Sequence, residues 1–334
     1  MGASGPRGLE NIGGTCYMNT VLQCFYHVEE LSKYLLKEEE KNSNFYDDKP
    51  FCKSYLGVVK GLNKRNSSRA FSPKEFLKSL VRVNQGYNYG FGNDPKDVVS
   101  DILFQLHQEL GIKDMSIQLN KYVDKRKKKQ LFDYYKNQEE SNKTKISELF
   151  NWCRQTKKKC SNCSEEFYDF EYEFMLFFYL EKIYNEQNTK NVKLDLINDC
   201  FENTFKKREE NITCPYCNKR EKGEIDNHIC VLPKYFIIIL DRGKNDKFDC
   251  GVNFGKEINI SKFVSQIDNP KYNPKYELLC ATFLRGKSGN GHTVAVCKEE
   301  DKYYLLNDAW STELNINYFK NEKPFLLFYK RINY

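Results

Sequence analysis

A cysteine, Cys16, stands where a loop with two glycines turns into a helix in the stretch ENIGGTCYMNTVLQC, residues 10–24. The unpaired N–H groups and the positive dipole end of a helix N-terminus favour a thiolate, the nucleophilic form of cysteine. Gly13 and Gly14 would let a substrate backbone approach closely, and the side-chain amide of Asn11 could donate to a developing oxyanion. The stretch therefore indicates a thiol nucleophile. The alternative is a small structural cysteine, since free cysteine is among the most buried residue types.

The sequence predicts a base for this thiol at His292. The chain has four histidines, and this one follows the glycine-rich turn GKSGNG and opens the apolar strand HTVAV. A hairpin through KEEDK would return Asn307 and Asp308 to the start of that strand, where either side chain could orient the imidazole. His27 and His107 fall inside predicted helices, where a histidine is more often structural.

Two C-x-x-C pairs indicate a metal site. CSNC contains Cys160 and Cys163, and CPYC contains Cys214 and Cys217, about fifty residues further along the chain. Each pair can hold one ion from a tight turn, and two pairs complete a tetrahedral thiolate site for zinc. Four thiolates leave no position for a water, so this zinc would be structural. A thioredoxin-like redox pair is the alternative, but it needs a βαβ setting that the sequence does not show.

Composition restricts the class of protein. The 334 residues include 13 cysteines and carry a net charge of +7. An odd cysteine number without a visible secretory signal indicates a reducing compartment, so the cytoplasm, the nucleus or both are predicted. The most apolar run, YFIIIL at 235–240, has the length of a strand, so no membrane association is predicted. Lysine-rich runs at 124–130 and 156–160 could bind nucleic acid, but that function would leave Cys16 and His292 unexplained.

Apolar periodicity predicts helices first and strands later. The predicted helices cover residues 15–37, 51–63, 73–82 and 95–110, the last with Asp94 as its N-cap and Pro95 in its first turn. The polar segment 121–145 is predicted to be a long exposed loop or a ragged helix. Aromatic and β-branched runs predict strands within 167–181, 228–242, 276–286, 292–308 and 324–332. This order indicates an α+β fold with a mostly antiparallel sheet and a cleft between the two parts.

Four blocks of the sequence resemble one known family. GLENIGGTCYMNTVLQCF at 8–25 closely resembles the nucleophile box of the ubiquitin-specific proteases, and YELLCATFLRGKSGNGHTVAVCKEEDKYYLLNDAW at 276–310 resembles their histidine box. Between them, ISELFNWCRQTKKKCSNC is similar to the entry into the family's zinc-bearing fingers, and LPKYFIIILDR is similar to the strand that leaves them. The blocks occur in the family's order from residue 8 to about 330, so the resemblance covers nearly the whole chain.

The resemblance implies an α+β, papain-like cysteine protease fold with a helical thumb, an antiparallel β palm and zinc-pinned β fingers. Residues 1–334 would form a single catalytic domain. Its thumb with the nucleophile box would cover 8–145, its fingers with the zinc site 146–230, and its palm with the histidine box 231–334. Ubiquitin would be gripped by the fingers, and its tail would pass between thumb and palm.

The resemblance also assigns roles to individual residues. Cys16 falls on the family's nucleophile, His292 on the base and Asn307 on the residue that orients the base. Asp308 falls on the acidic neighbour that often follows the orienting residue, and Asn11 falls on the oxyanion-hole residue. The four paired cysteines fall on the ligands of one structural Zn²⁺. No organic cofactor is implied.

The implied function is that of a thiol-dependent deubiquitinase with ubiquitin and ubiquitinated proteins as partners. It would hydrolyse the isopeptide or peptide bond after ubiquitin's C-terminal glycine through an acyl-enzyme. The chain departs from the family pattern at Gly14, where asparagine is usual, and at Thr293, where an aromatic residue is usual. The acidic helix motif that the family would have near 95–104 is reduced here to PKDVVSDIL. The alternative is therefore a catalytically weak or inactive pseudo-protease that binds ubiquitin or a ubiquitin-like protein. The intact nucleophile, base and orienting residue favour the enzyme.

Overall fold

Most of the described α-helices lie in the N-terminal part of the chain. The computed structural model describes residues 5–64, 69–87, 93–111, 123–186, 193–243, 248–265, 273–286, 291–314 and 323–332. Its α-helices are α1 Cys16–Tyr26, α2 Glu29–Lys41, α3 Pro50–Asn63, α4 Lys74–Val83, α5 Pro95–Leu110, α6 Lys128–Ser141, α7 Lys145–Phe150, α8 Leu180–Glu186 and α9 Glu202–Phe205. Short 3₁₀ helices cover Gln85–Tyr87 and Ser261–Phe263, and a π-helix covers Leu196–Phe201.

The observed helices correct one prediction, decide a second and confirm a third. The single helix predicted over 15–37 is two helices, since α1 ends at Tyr26 and α2 begins at Glu29. Periodicity missed the break because Val28, in the turn itself, is as fully buried as the apolar residues of the helices beside it. Of the two alternatives predicted for 121–145, the helix is observed as α6, but it is not wholly exposed because it buries Leu131 and Phe132. The predicted cap of α5 is confirmed, because Asp94 accepts a hydrogen bond from the backbone N–H of Lys96.

The remainder of the described chain is dominated by strands. They are β1 Trp152–Cys160, β2 Glu166–Glu173, β3 Met175–Tyr179, β4 Lys193–Asp195, β5 Arg208–Thr213, β6 Arg220–Val231, β7 Tyr235–Asp241, β8 Gly251–Asn253, β9 Glu257–Asn259, β10 Lys275–Arg285, β11 His292–Glu299, β12 Lys302–Asn307, β13 Trp310–Glu313 and β14 Pro324–Arg331. Eight of them form one sheet in the order β13-β12-β11-β10-β14-β7-β3, with β9 paired to β10. All its pairings are antiparallel except that of β3 with β7. The α+β fold with a mostly antiparallel sheet is confirmed.

The eight-stranded sheet is buried on both faces. On β7, Tyr235, Ile237 and Ile239 belong to the core that packs against the N-terminal helices. The alternate residues Phe236 and Ile238 belong to a second core on the opposite face. A strand with two buried faces needs apolar residues at every position rather than at every second one. This requirement explains the continuous run YFIIIL.

A separate four-stranded sheet has the order β2-β1-β6-β5. Its outer end contains a small buried cluster around Cys160, Phe167, Ile212 and Cys214. The sheet matches the range 146–230 predicted for the fingers to within one residue, since β6 ends at Val231, but that range also contains β3, which returns to the eight-stranded sheet. Among the described residues, no helix combines the length and the apolar character that crossing a membrane requires.

Candidate active site and cysteine cluster

The loop before Cys16 is held by its own side chains. Asn11 accepts a hydrogen bond through Oδ1 from the backbone N–H of Thr15 at 3.0 Å, and Thr15 Oγ1 accepts one from the N–H of Ile12 at 3.0 Å. Gly13 and Gly14 have φ angles of 105° and 73°, a region that favours glycine. The tight turn therefore places Cys16, which is 8% exposed, as the first residue of α1.

The turn after β12 docks onto this loop through Asp308. Its carboxylate accepts from Asn11 Nδ2 at 2.9 Å and from Asn19 Nδ2 at 2.8 Å. Its backbone carbonyl accepts from the N–H of Leu9 at 2.8 Å. A Cβ atom on Gly8 would lie 2.3 Å from the backbone of Ala309, so only glycine permits this approach. The loop that precedes Cys16 and the turn that follows β12 therefore form one packed unit.

His292 and Asn307 are joined directly. His292 Nε2 lies 2.6 Å from Asn307 Oδ1, and it lies 3.8 Å from Asp308 Oδ2. Because an amide oxygen only accepts, Nε2 is the donor, and a neutral imidazole then has its lone pair on Nδ1. The His292 side chain is 39% exposed, whereas that of Asp308 is 13% exposed. Asn307 therefore orients the ring through Nε2, while part of the ring stays exposed to solvent.

The predicted hairpin that produces this contact is confirmed. β11 pairs with β12 in a register that places Ala295 opposite Leu306, so Asn307 at the end of β12 returns to the start of β11. The turn GKSGNG, which was expected to aim His292, lies largely outside the described residues, at 287–290. The strand pairing and the bond from Asn307 position the ring within the described part of the chain.

Sequence reasoning missed Asn19 as a residue of this site. Asn19 lies three residues after Cys16 on α1, is 2% exposed, and also donates to the backbone carbonyl of Glu10 at 3.1 Å. The available signal was a buried polar side chain within an otherwise apolar helix, one turn from the cysteine. Its partner Asp308 is 289 positions away and could not be read from the local pattern.

The four paired cysteines form one cluster. All four sulfur atoms lie within 4.8 Å of one another, with 3.8 Å between Cys160 and Cys217 and 3.6 Å between Cys163 and Cys214. Sulfurs bound tetrahedrally to one zinc ion are about 3.8 Å apart, from a zinc–sulfur distance of about 2.3 Å. The donor set and its spacing therefore fit a closed four-thiolate metal site.

The two turns of this cluster have the same design. In the first turn the N–H of Ser164 donates to the carbonyl of Cys160 at 2.9 Å, and in the second the N–H of Asn218 donates to that of Cys214 at 3.0 Å. Ser164 and Asn218 both have positive φ angles, of 59° and 55°. A hydrogen bond from the backbone of Lys219 lowers the pKa of the Cys217 thiol to about 7. Both turns thus direct their sulfurs toward one point.

The basic runs form ion pairs within the protein. Lys125 and Lys158 both pair with Asp169, and Arg126 pairs with Asp124. The hydroxyl of Tyr216, in the second cysteine turn, donates to Asp124 at 2.7 Å. These contacts attach the segment before α6 to the four-stranded sheet and weaken the nucleic-acid interpretation of the run at 124–130.

Comparison with known proteins identifies the class of this chain. A family model described as ubiquitin carboxyl-terminal hydrolase matches residues 7–329. The chain therefore belongs to the ubiquitin carboxyl-terminal hydrolase family. This confirms the resemblance that the sequence blocks indicated.

Individual relatives agree with this assignment. The chain is 25% identical over 342 residues to ubiquitin carboxyl-terminal hydrolase Usp2 of Drosophila melanogaster, with 98% of this chain and 35% of that protein covered. It is 23% identical to human ubiquitin carboxyl-terminal hydrolase 2, with 98% and 55% covered. The chain thus spans between about a third and about half of the length of these relatives.

A solved structure has the same fold. It is that of the SAGA Ubp8/Sgf11/Sus1/Sgf73 DUB module bound to ubiquitin aldehyde. The matched chain superposes with a TM-score of 0.71 at 19% identity, and the match covers 99% of this chain and 72% of that one.

Proposed function

We propose that this chain is a thiol-dependent deubiquitinase that hydrolyses the isopeptide or peptide bond after the C-terminal glycine of ubiquitin. The observation that carries the proposal is the Asp308 carboxylate. It accepts from Asn11 and Asn19, on the loop and helix of Cys16, and lies 3.8 Å from the ring of His292. Residues far apart in sequence are thereby assembled into one site. Family membership and the names of the relatives support ubiquitin as the substrate.

The first half of the reaction forms a thioester on Cys16. His292 takes the thiol proton, or already holds it as part of an ion pair, and Sγ attacks the glycine carbonyl carbon. Nδ1 of His292 is the atom for this proton, because Nε2 is directed at Asn307. The ring then protonates the leaving lysine amine as the C–N bond breaks. In the second half, water attacks the thioester carbon and gives a proton to the ring, the C–S bond breaks, and the ring returns the proton to Sγ of Cys16.

Asn307 has the role of orienting residue, and Asp308 has a different one. The Asn307 amide oxygen contacts the ring directly at 2.6 Å, whereas both Asp308 oxygens already accept hydrogen bonds from asparagine amides. Asp308 therefore fixes the nucleophile loop to the β12 turn and contributes negative charge near the imidazolium. This division supports Asn307 as the residue that holds the ring in its tautomer.

Asn11 is suited to the oxyanion hole because its side chain is fixed at both ends. Its oxygen accepts from Thr15 N–H, and one hydrogen of its Nδ2 is donated to Asp308. The amide group has a second N–H, which can donate to the oxyanion without any rearrangement. A donor that is already oriented before the reaction lowers the barrier most effectively.

The cysteine cluster would hold one structural Zn²⁺ through Cys160, Cys163, Cys214 and Cys217. When bound, the ion would supply folding free energy to the ends of the four-stranded sheet and no chemistry to the reaction. We propose that this sheet forms the fingers, which come between the thumb and the palm in the sequence, and that it grips the globular body of ubiquitin. No organic cofactor is required by the mechanism. We place the enzyme in the cytoplasm, the nucleus or both.

Hydrolysis of a ubiquitin C-terminal fluorogenic reporter tests the proposed function. We expect turnover by the wild-type protein, none by Cys16→Ala, and nearly wild-type turnover by Cys200→Ala, which alters a buried cysteine outside the site. Binding of ubiquitin by wild type without any turnover would contradict the proposal and favour a pseudo-protease. Equal activity of wild type and Cys16→Ala would contradict the assignment of the nucleophile.

A further inference from the structure

A second group of cysteines lies in the core, apart from the active site and the four-cysteine cluster. Cys24 is on α1, Cys280 is on β10 and Cys297 is on β11. Their sulfur atoms all lie within 4.8 Å of one another, and each residue is 0% exposed. Cys280 and Cys297 are direct partners in the pairing of β10 with β11. We call these three residues the core thiol group.

The packing of an apolar core does not require the sulfur atoms of three cysteines to lie close together. An isolated buried cysteine such as Cys52, which is 0% exposed on α3, behaves as a small apolar residue. In the core thiol group, three separate elements each direct a sulfur toward one point. Three sulfurs bound to one ion are at most about 4 Å apart when the ion–sulfur distance is about 2.3 Å. Sulfur separations of at most 4.8 Å are compatible with one ion bound by all three thiols, whereas a disulfide would use only two of the sulfurs and bring them to about 2.05 Å.

Charge selects the kind of ion. The core thiol group belongs to the apolar core between the helices and the eight-stranded sheet. Three thiolates with a monovalent or divalent ion leave net negative charge in this core, and an uncompensated buried charge is costly. A trivalent ion makes the complex neutral.

We propose that Cys24, Cys280 and Cys297 form a binding site for a trivalent thiophilic ion, with arsenous acid as its representative ligand. Each of the three thiols forms one As–S bond, and each of the three As–O bonds of arsenous acid breaks. The three thiol protons leave with the three hydroxide groups as water. Arsenic stays trivalent and no electron is transferred, so no oxidant or reductant takes part.

A cavity lies near the core thiol group, although none of the three cysteines lines it. Its volume is about 420 Å³, and its lining includes His27, Leu279 and Lys298. Leu279 and Lys298 are the immediate chain neighbours of Cys280 and Cys297. Arsenous acid is small and uncharged at neutral pH, so it can enter this cavity and reach the thiols through a limited opening of α1 against the sheet. Binding is therefore expected to be slow rather than diffusion-limited.

The bound ion would tie α1 to β10 and β11. α1 begins with Cys16, and β11 begins with His292. Cys24 lies eight residues after Cys16, which is about 12 Å along the helix, so the ion would not touch the nucleophile. A ligand that binds only the folded state stabilises it by mass action. The expected consequence is a higher thermal midpoint in the presence of arsenous acid.

Native mass spectrometry of the zinc-loaded protein tests this proposal. Wild type incubated with arsenous acid should gain one arsenic with loss of three protons, while its zinc content stays constant. X-ray absorption at the arsenic edge should then show three sulfur neighbours and no oxygen. Cys52→Ala is the matched control, because it removes a buried cysteine outside the group, and it should bind arsenic like wild type.

Cys297→Ala should lose this arsenic and the accompanying rise in thermal midpoint, and Cys24→Ala provides a second variant if the first does not fold. Unchanged arsenic binding in either folded variant would overturn the proposal. It would also be overturned if wild type bound no arsenic, if arsenic entered only as zinc left, or if absorption showed fewer than three sulfurs.

Discussion

Asn19 donates a hydrogen bond from Nδ2 to Asp308 Oδ1 at 2.8 Å, across 289 positions of the sequence. This contact links the first turn of α1, where Cys16 stands, to the turn that follows β12. Asn307, which contacts His292, immediately precedes Asp308 in that turn. The buried Asn19 amide therefore holds α1, which begins with Cys16, against the turn next to His292.

We expect Asn19→Ala to lower both stability and kcat. The loss of a buried donor to a carboxylate costs about 1.5–3 kcal/mol of unfolding free energy, and the nucleophile loop loses one of its anchors. Gln23→Ala is the matched control, because Gln23 is equally buried on α1 but donates to the carbonyl of Arg7. The control should lose stability while it keeps kcat. Equal kcat losses in the two variants, measured with the reporter alongside denaturant unfolding, would refute a specific role for Asn19.

Asn11→Ala should lower kcat more than it changes KM. One oxyanion-hole donor contributes about 10²–10³ in turnover, and Asn11 also holds Asp308. Steady-state kinetics with the ubiquitin reporter gives both constants. If kcat were unchanged, backbone N–H groups or another side chain would be the oxyanion donors.

Asn307→Ala should cost more activity than Asp308→Ala. The reason is geometric, since Asn307 contacts the ring at 2.6 Å and Asp308 lies 3.8 Å from it. Asp308→Asn keeps the shape of the side chain but removes its charge and one of its two accepted hydrogen bonds, so it should fall between Asp308→Ala and wild type. Reporter kinetics on all three variants checks the order. A large loss for Asp308→Ala with none for Asn307→Ala would reverse the two assignments.

Cys214→Ser should lower zinc content and raise KM for full-length ubiquitin, with kcat largely retained. The cluster lies at the end of the four-stranded sheet, where little other core is present to hold the two turns together. Elemental analysis should give one zinc per wild-type chain, and small thiol reagents should still label Cys16 in the variant. Ser161→Ala changes a residue of the same turn that is not a ligand, and it should keep both zinc and KM. A zinc-free wild type of ordinary stability would defeat this prediction.

The sequence predicts those features of the molecule that depend on residues close to one another in the chain. The α5 boundary follows from Asp94 and Pro95, and the β11–β12 hairpin brings Asn307 to His292 as its turn predicts. Each of these features is determined by residues within about fifteen positions of one another. The paired cysteines are likewise recognisable because each pair lies within a single turn.

What the sequence does not reveal depends on contacts between distant segments. The break between α1 and α2 is hidden because Val28 is buried like its helical neighbours, so periodicity continues through the turn. The aromatic strands β2 and β3 follow one another in the chain but lie in different sheets, because β3 pairs in parallel with β7. The role of Asn19 and the convergence of Cys24 with Cys297 depend in the same way on packing of α1 against the sheet. Such contacts are decided by the tertiary structure rather than by spacing along the chain.

The most direct test of the central claim uses a ubiquitin that carries an electrophile at its C-terminus. The measurement identifies the residue of this protein to which that ubiquitin becomes covalently bound. Wild type should form a single covalent adduct, and peptide mapping by mass spectrometry should place it on Cys16. His292→Ala should react far more slowly, because the thiol would lose its base. Rapid labelling of another cysteine, or no adduct in a folded and zinc-loaded wild type, would contradict the assignment of Cys16 as the nucleophile of a deubiquitinase.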